Sequence, residues 1–256
     1  MGIFGTLLGG TVGFMMGGPA GAVLGGVMGS TLSRGLDAAA ARSAGGGRAT
    51  RAQQQQLAFA VVLSSLAAKV AKADGRVTTQ EIQAFDGFLK NSMRLSRSDR
   101  EVAAQVFNRA RDSATPAEEF ARQLGQIFRG QPDRLRDMVT ILLMVALADG
   151  QLHRAEEALL RSISAELGLS EADYQSCKAT FKTATGAPDV DPYQVLGVAP
   201  TASDSDVRSA HRRLVREYHP DVLQSKGLPE DFGEFAAKKM SAINTAWAAV
   251  RVERGL

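Results

Sequence analysis

The sequence predicts an all-α protein. Between Leu57 and Lys182 apolar residues recur at helical spacing, with no alternating strand pattern competing, and the same spacing returns in shorter pieces after Asp191. Ahead of both, a glycine falls at every fourth position, a period that lines one face of a helix. The 256 residues fit about two domains with a terminal segment. A net charge of +3 from 30 basic and 27 acidic residues leaves no nucleic-acid footprint, and no DNA- or RNA-binding motif appears. The single Cys177 excludes an intramolecular disulfide framework and an all-cysteine zinc site, which suits a reducing compartment.

Residues 1–33 read as a membrane segment. Gly5, Gly9, Gly13, Gly17, Gly21, Gly25 and Gly29 are interleaved with apolar residues, and no charged side chain occurs from Ile3 to Ser33. In water each interior glycine costs a helix roughly 0.8–1 kcal/mol against alanine. In a bilayer the backbone must satisfy itself, and small residues at i, i+4 let two helices approach closely. These seven glycines are therefore the expected helix-packing groove, and through it a homodimer. Pro19 leaves two forms open, one kinked span or a hairpin of two short helices. A Gly-rich soluble leader is the competing reading. Arg34, Arg42, Arg48 and Arg51 follow the apolar run, so the positive-inside rule puts the bulk of the chain in the cytoplasm. Residues 34–56, small and polar with a Gly45-Gly46-Gly47 break, read as a linker.

Residues 57–183 read as a helical domain of six or seven helices. Pro116 and Pro132 mark helix starts, and Gly130 and Gly168 mark stops. The domain holds a repeat. Ala71-Lys72-Ala73-Asp74-Gly75-Arg76-Val77 with Glu81 matches Ala146-Leu147-Ala148-Asp149-Gly150-Gln151-Leu152 with Glu156. In each copy Gly supplies a left-handed helix C-cap, and Glu falls in the first turn of the next helix. With Ala165-Glu166-Leu167-Gly168-Leu169-Ser170 further on, this pattern resembles the tellurite-resistance TerB-like helical domain. Asp74, Glu81, Asp149 and Glu156 are candidate ligands for a divalent cation, since hard cations take carboxylate oxygens; capping and turn chemistry explains the same residues without a metal. No other cofactor is expected.

Residues 189–256 form a third unit. Asp191-Pro192-Tyr193 opens a short helix ended by Gly197, and Pro200-Thr201-Ala202-Ser203 leads to a second helix capped by Asp204 or Ser205. Val207, Ala210, Leu214 and Tyr218 are its apolar side, and Arg208, Arg212, Arg213 and Arg216 spread over the rest. It ends at His219-Pro220-Asp221. Phe235, Met240, Ile243, Ala246, Trp247 and Val250 give a third helix that packs antiparallel on the second. The runs D-P-Y-x-V-L-G-V, H-R-R-L-V-R-E-Y-H-P-D and I-N-T-A-W, in this order, resemble the J domain of DnaJ-type co-chaperones. Three places depart from that pattern: Trp247 stands for a tyrosine, His211 for an aromatic or an Ala-Tyr pair, and Val222-Leu223 for the familiar Lys/Arg-Asn after the motif.

Taken together, a Gly-rich segment, a TerB-like middle and a C-terminal J domain resemble the DnaJ-like protein A family of membrane-anchored co-chaperones. The resemblance implies a DnaK-type chaperone as partner, contacted through His219, Pro220, Asp221, Arg208, Arg212, Arg213, Arg216 and Asn244. It implies stimulation of that partner's ATPase from the bacterial inner membrane, with a single pass and the J domain in the cytoplasm. The chain itself is then not an enzyme, because the ATP sits on the partner. A metal-responsive signalling or scaffold protein with a secondary J domain is the alternative.

Overall fold

The computed structural model describes residues 18–23, 51–93, 95–219 and 233–256, with the side chains of 51–58, 98, 233 and 234 left aside. Among the described residues the chain is helical and contains no strand. Helices α1 (Arg51–Ala71), α2 (Thr79–Gly87), α3 (Arg97–Asp112), α4 (Ala117–Ile127), α5 (Pro132–Ala146), α6 (Arg154–Glu166) and α7 (Glu171–Ala184) build the middle domain. Helices α8 (Pro192–Leu196), α9 (Asp204–Glu217) and α10 (Gly233–Arg254) build the C-terminal one. A π-helical turn, Phe88–Ser92, extends α2 and carries Phe88 and Leu89 inward.

The first core is centred on α1, against which α3, α4, α5 and α6 pack. From Phe59 to Ala71 every side chain of α1 but Lys69 is buried. A helix surrounded in this way is apolar all round rather than amphipathic. Its two buried serines satisfy themselves, the Ser64 hydroxyl donating to Ala60 O at 2.7 Å and that of Ser65 to Val61 O at 2.9 Å. The expected punctuation is present. Pro116 caps α4, Pro132 opens α5, and Gly130 and Gly168 take positive φ of 80° and 78°.

Of the seven groove glycines only Gly21 lies within the described residues. Residues 18–23 are helical, Ala20 and Val23 are buried in the first core, and the Ala20 N–H donates to Gln123 Oε1 at 3.0 Å. Gly5, Gly9, Gly13, Gly17, Gly25 and Gly29 lie outside the description. Among the described residues no helix is long and apolar enough to cross a membrane.

The second core joins Tyr193, Val195, Leu196, Val207, Tyr218, Ile243, Ala246 and Val250. Helix α7 is its shared wall: Tyr174 and Cys177 face the first core, and Ala179 faces the second. Helix α10 also serves both. Its Phe235 enters the first core and meets the Phe88 ring edge-on, with centroids 6.0 Å apart, while Ala236, Ile243 and Val250 fill the second. Full burial of one such aromatic contributes about 1.5–3 kcal/mol, so the two helical units are joined by apolar packing as well as by chain.

Candidate functional site

The short helix α8 is built by its ends. Asp191 Oδ1 accepts the Tyr193 N–H at 2.9 Å, Pro192 takes the first helical position, and Gly197 closes the helix at φ 69°. In α9, Ser203 Oγ accepts the Asp206 N–H at 3.2 Å and its hydroxyl donates to Asp206 Oδ2 at 2.6 Å. Asp204 and Asp206 in the first turn and Arg216 in the last complement the helix dipole. Arg254, near the end of α10, ties the α8 to α9 connection down. Its guanidinium donates to Tyr193 Oη, Pro200 O, Ala202 O and Asp204 Oδ1, at 2.6–2.9 Å.

With Val207, Ala210 and Tyr218 buried, α9 turns Arg208, Arg212, Arg213 and Arg216 to solvent, and His219 follows them exposed at the helix end. These are the residues that the sequence pattern placed there. Two of the arginines have side-chain partners on α9: Arg212 donates to Ser209 Oγ at 3.1 Å, and Arg213 pairs with Glu217 at 3.5 Å. Pro220 and Asp221 lie outside the described residues. Asn244 is exposed on α10 and its side chain hydrogen-bonds His211. Burial holds the His211 imidazole below its usual range, and the positive charge of Arg212 adds to that, against the Asn244 hydrogen bond.

Directly behind this face lies a buried polar cluster. The Tyr218 hydroxyl donates to Asp137 Oδ1 at 2.8 Å. Lys239 Nζ donates to the same Oδ1 at 2.8 Å and to Tyr218 Oη at 2.6 Å, and stands over the Tyr218 ring 4.5 Å from its centroid. All three residues are buried, and they come from α5, the end of α9, and α10. Burial first, then the Asp137 and Glu217 charges, push the Tyr218 hydroxyl well above its ordinary range, so it stays a donor. The Glu217 carboxyl is pushed up by its own burial and by Asp133 and Asp137. Arg136 flanks the cluster, bonding Asp133 and, at 3.0 Å, Asp173.

This cluster escaped the sequence reading, although it left a signal. Asp137 precedes Ile141 by one helical turn on the apolar stripe of α5, and Lys239 falls between Phe235 and Ile243 on that of α10. An ionisable residue in a core register needs a partner. A cavity of about 530 Å³ adjoins the cluster between α2, α5, α7 and α10, with Met144, Leu147, Phe181, Phe235, Lys238 and Lys239 among its walls.

The four acids of the repeat divide into two pairs, and the structure does not bring all four together. Asp74 Oδ1 accepts the Arg76 N–H at 2.8 Å, and Asp149 Oδ1 the Gln151 N–H at 2.9 Å, the same Asx turn twice on the surface. Glu81 and Glu156 are buried capping residues, each accepting the N–H three positions back, at 2.7 Å from Thr78 and 2.9 Å from His153. The two carboxyls are near enough to act on each other. Burial, first of all, pushes the Glu156 carboxyl up to about 7; the His153 N–H works against that shift and the Glu81 carboxyl adds to it. Among the described residues no group of three or more histidine, cysteine or acidic side chains is placed to hold a metal ion.

A helical middle domain carrying a three-helix module with an arginine face ending in His-Pro-Asp defines a J-domain protein. Comparison with known families agrees. The tellurite resistance protein TerB family matches residues 59–179, the DnaJ domain matches 191–253, and the co-chaperone DjlA transmembrane domain matches 1–42. The co-chaperone protein DjlA of Shewanella oneidensis is 31% identical over 215 residues, covering 80% of this chain and 82% of that protein. Those of Photobacterium profundum and Escherichia coli O157:H7 are each 30% identical, covering 79% and 81% of this chain and 80% and 83% of theirs. The chain belongs to the DjlA co-chaperone family. No solved structure matches it.

Proposed function

We propose that this co-chaperone binds a DnaK-type chaperone through its J domain and stimulates that partner's ATPase from the bacterial inner membrane. The observation that carries the reading is the exposed row Arg208, Arg212, Arg213 and Arg216, running along α9 to His219 at the start of the His-Pro-Asp turn. Such a face suits an acidic groove, where it steers encounter and sets register more than it adds affinity. His219, Pro220, Asp221 and Asn244 complete the contact. The chain contributes no catalytic group or cofactor of its own, and hydrolysis takes place on the partner. Residues 1–33 anchor it by a single pass with the J domain in the cytoplasm, and the glycine groove pairs two copies.

Full-length protein in lipid nanodiscs, mixed with the DnaK of the same cell, tests this by single-turnover ATP hydrolysis. Acceleration that disappears in His219→Gln and Asp221→Asn is the expected result. No acceleration, or acceleration indifferent to both substitutions, overturns it. Recovery of the full-length protein in the soluble fraction overturns the anchor, and undiminished dimerisation of a Gly13→Leu/Gly17→Leu variant overturns the groove.

A further inference from the structure

We infer that Asp137, on the middle domain, is a positioning residue for His219, the first residue of the J domain's His-Pro-Asp motif. Its carboxylate is the common acceptor for Tyr218, the residue immediately before His219, and for Lys239 on α10. The three residues are 4–6% exposed, so each bond lost there costs more than one at the surface. Lys239 also donates to Tyr218 Oη, which closes a triangle of hydrogen bonds. His219 thus follows a residue that is fixed to a different domain.

The neighbouring bonds extend the anchor. Arg136, one residue before Asp137, bonds Asp133 on α5 and Asp173 on α7, and its carbonyl accepts the Thr140 hydroxyl at 2.9 Å and the Cys177 thiol at 3.4 Å. Asp137 therefore sits on a braced segment of α5. Phe235, one turn before Lys239, is anchored in the first core against Phe88. The two helices on either side of residues 220–232, α9 before them and α10 after them, are held at this one carboxylate. A displacement of His219 by about 1 Å is enough to cost a contact-dependent reaction one to two orders of magnitude. The middle domain is in this sense part of the J-domain site.

This inference rests on the co-chaperone reading for its effect on the partner, but its structural half is measured without the partner. The test uses full-length chain in nanodiscs as wild type, Asp137→Asn, Tyr218→Phe and the double variant. Asp86→Asn, which removes the surface pair with Arg100, is a control for loss of a middle-domain ion pair. Deuterium exchange of amides 216–219 is expected to rise about tenfold in each cluster variant and no further in the double, while α3 and α4 stay protected. Maximal ATPase stimulation is expected to fall about tenfold, with the half-saturating co-chaperone concentration within about twofold of wild type, because the arginine face is intact. Tyr218→Phe deletes only a hydroxyl, so the test holds if Asp137→Asn does not fold. Unchanged exchange at 216–219 overturns the inference whatever the ATPase does. Raised exchange with full stimulation also overturns it. A wild type that neither stimulates nor responds to His219→Gln sinks the co-chaperone reading, and the exchange result then decides the structural half alone.

Discussion

The His211 imidazole lies flat on the Trp247 indole, with ring centroids 4.5 Å apart and planes 9° from parallel. These are two of the places at which the sequence departs from the usual J-domain pattern. They meet across the α9 to α10 interface, so one departure accommodates the other. An offset aromatic pair adds about 0.5–1.5 kcal/mol beyond area burial. Urea unfolding of His211→Ala, Trp247→Ala and the double variant should return a coupling energy of about 1 kcal/mol. Strict additivity would mean that the stack contributes nothing.

Glu156 makes stability depend on pH. In the folded chain its carboxyl titrates near 7, against 4.5 as the ordinary value. A group whose folded pKa is raised gives its full contribution below the unfolded pKa and loses it as pH rises through the folded one. Stability should therefore fall by about 2–3 kcal/mol between roughly pH 5 and 8 on account of this residue. Glu156→Gln still accepts from the His153 N–H and donates an amide proton towards Glu81. It should flatten the slope and raise stability at the alkaline end by about 2 kcal/mol. Denaturant midpoints across that range check both, and parallel curves for variant and wild type would rule the pair out as the source.

How much of this was legible beforehand follows from how local each signal is. Gly75 and Gly150 close their helices at φ 95° and 90° and Pro132 opens α5, because each is dictated by neighbours within a turn; the cap of α9 falls on Ser203, ahead of the expected Asp204 or Ser205, because its hydroxyl is the one that reaches the Asp206 N–H. The α9 face was legible for the same reason, since Val207 and Arg208 are sorted by helix periodicity alone. Residues serving another domain were not. Phe235 and Lys239 share the stripe of Ile243 and Val250, yet Phe235 enters the first core and Lys239 reaches Asp137 on α5, and nothing in α10 marks where the stripe changes partner. The pairing of Glu81 with Glu156 was half visible. The repeat gave four equivalent acids, and only the fold separates the buried pair from the surface Asx turns.

The repeat's glycines offer a test of backbone conformation alone. A Cβ at Gly150 or Gly75 would meet nothing within 4 Å, so a substituent has room and only the positive φ opposes it. Left-handed backbone costs an L residue about 1–2 kcal/mol, less for asparagine. Gly150→Ala should lower unfolding stability by about that amount, and Gly150→Asn by about half of it. Equal losses in the two variants would point to a steric cause instead.

The arginine face and the turn should separate in kinetics. Arg208, Arg212 and Arg216 are exposed, and their charge acts mainly on encounter. Reversing Arg212 and Arg216 to glutamate should raise the half-saturating co-chaperone concentration about tenfold at low salt while leaving maximal stimulation unchanged. The difference should shrink as salt rises from about 0.05 to 0.3 M, since screening shortens the range of exposed charges. Arg213 should behave differently. Its guanidinium is the side-chain ion pair of buried Glu217, whose other oxygen, Oε1, has no partner among the described residues. Arg213→Gln should therefore lower thermal stability as well as affinity, because a buried carboxyl loses its ion pair. Titrating ATPase stimulation against co-chaperone concentration at both salt levels, beside a thermal melt, distinguishes the two classes. A salt-independent loss of maximal rate in the Arg212 and Arg216 variants would show that these arginines act at the reacting state rather than in encounter.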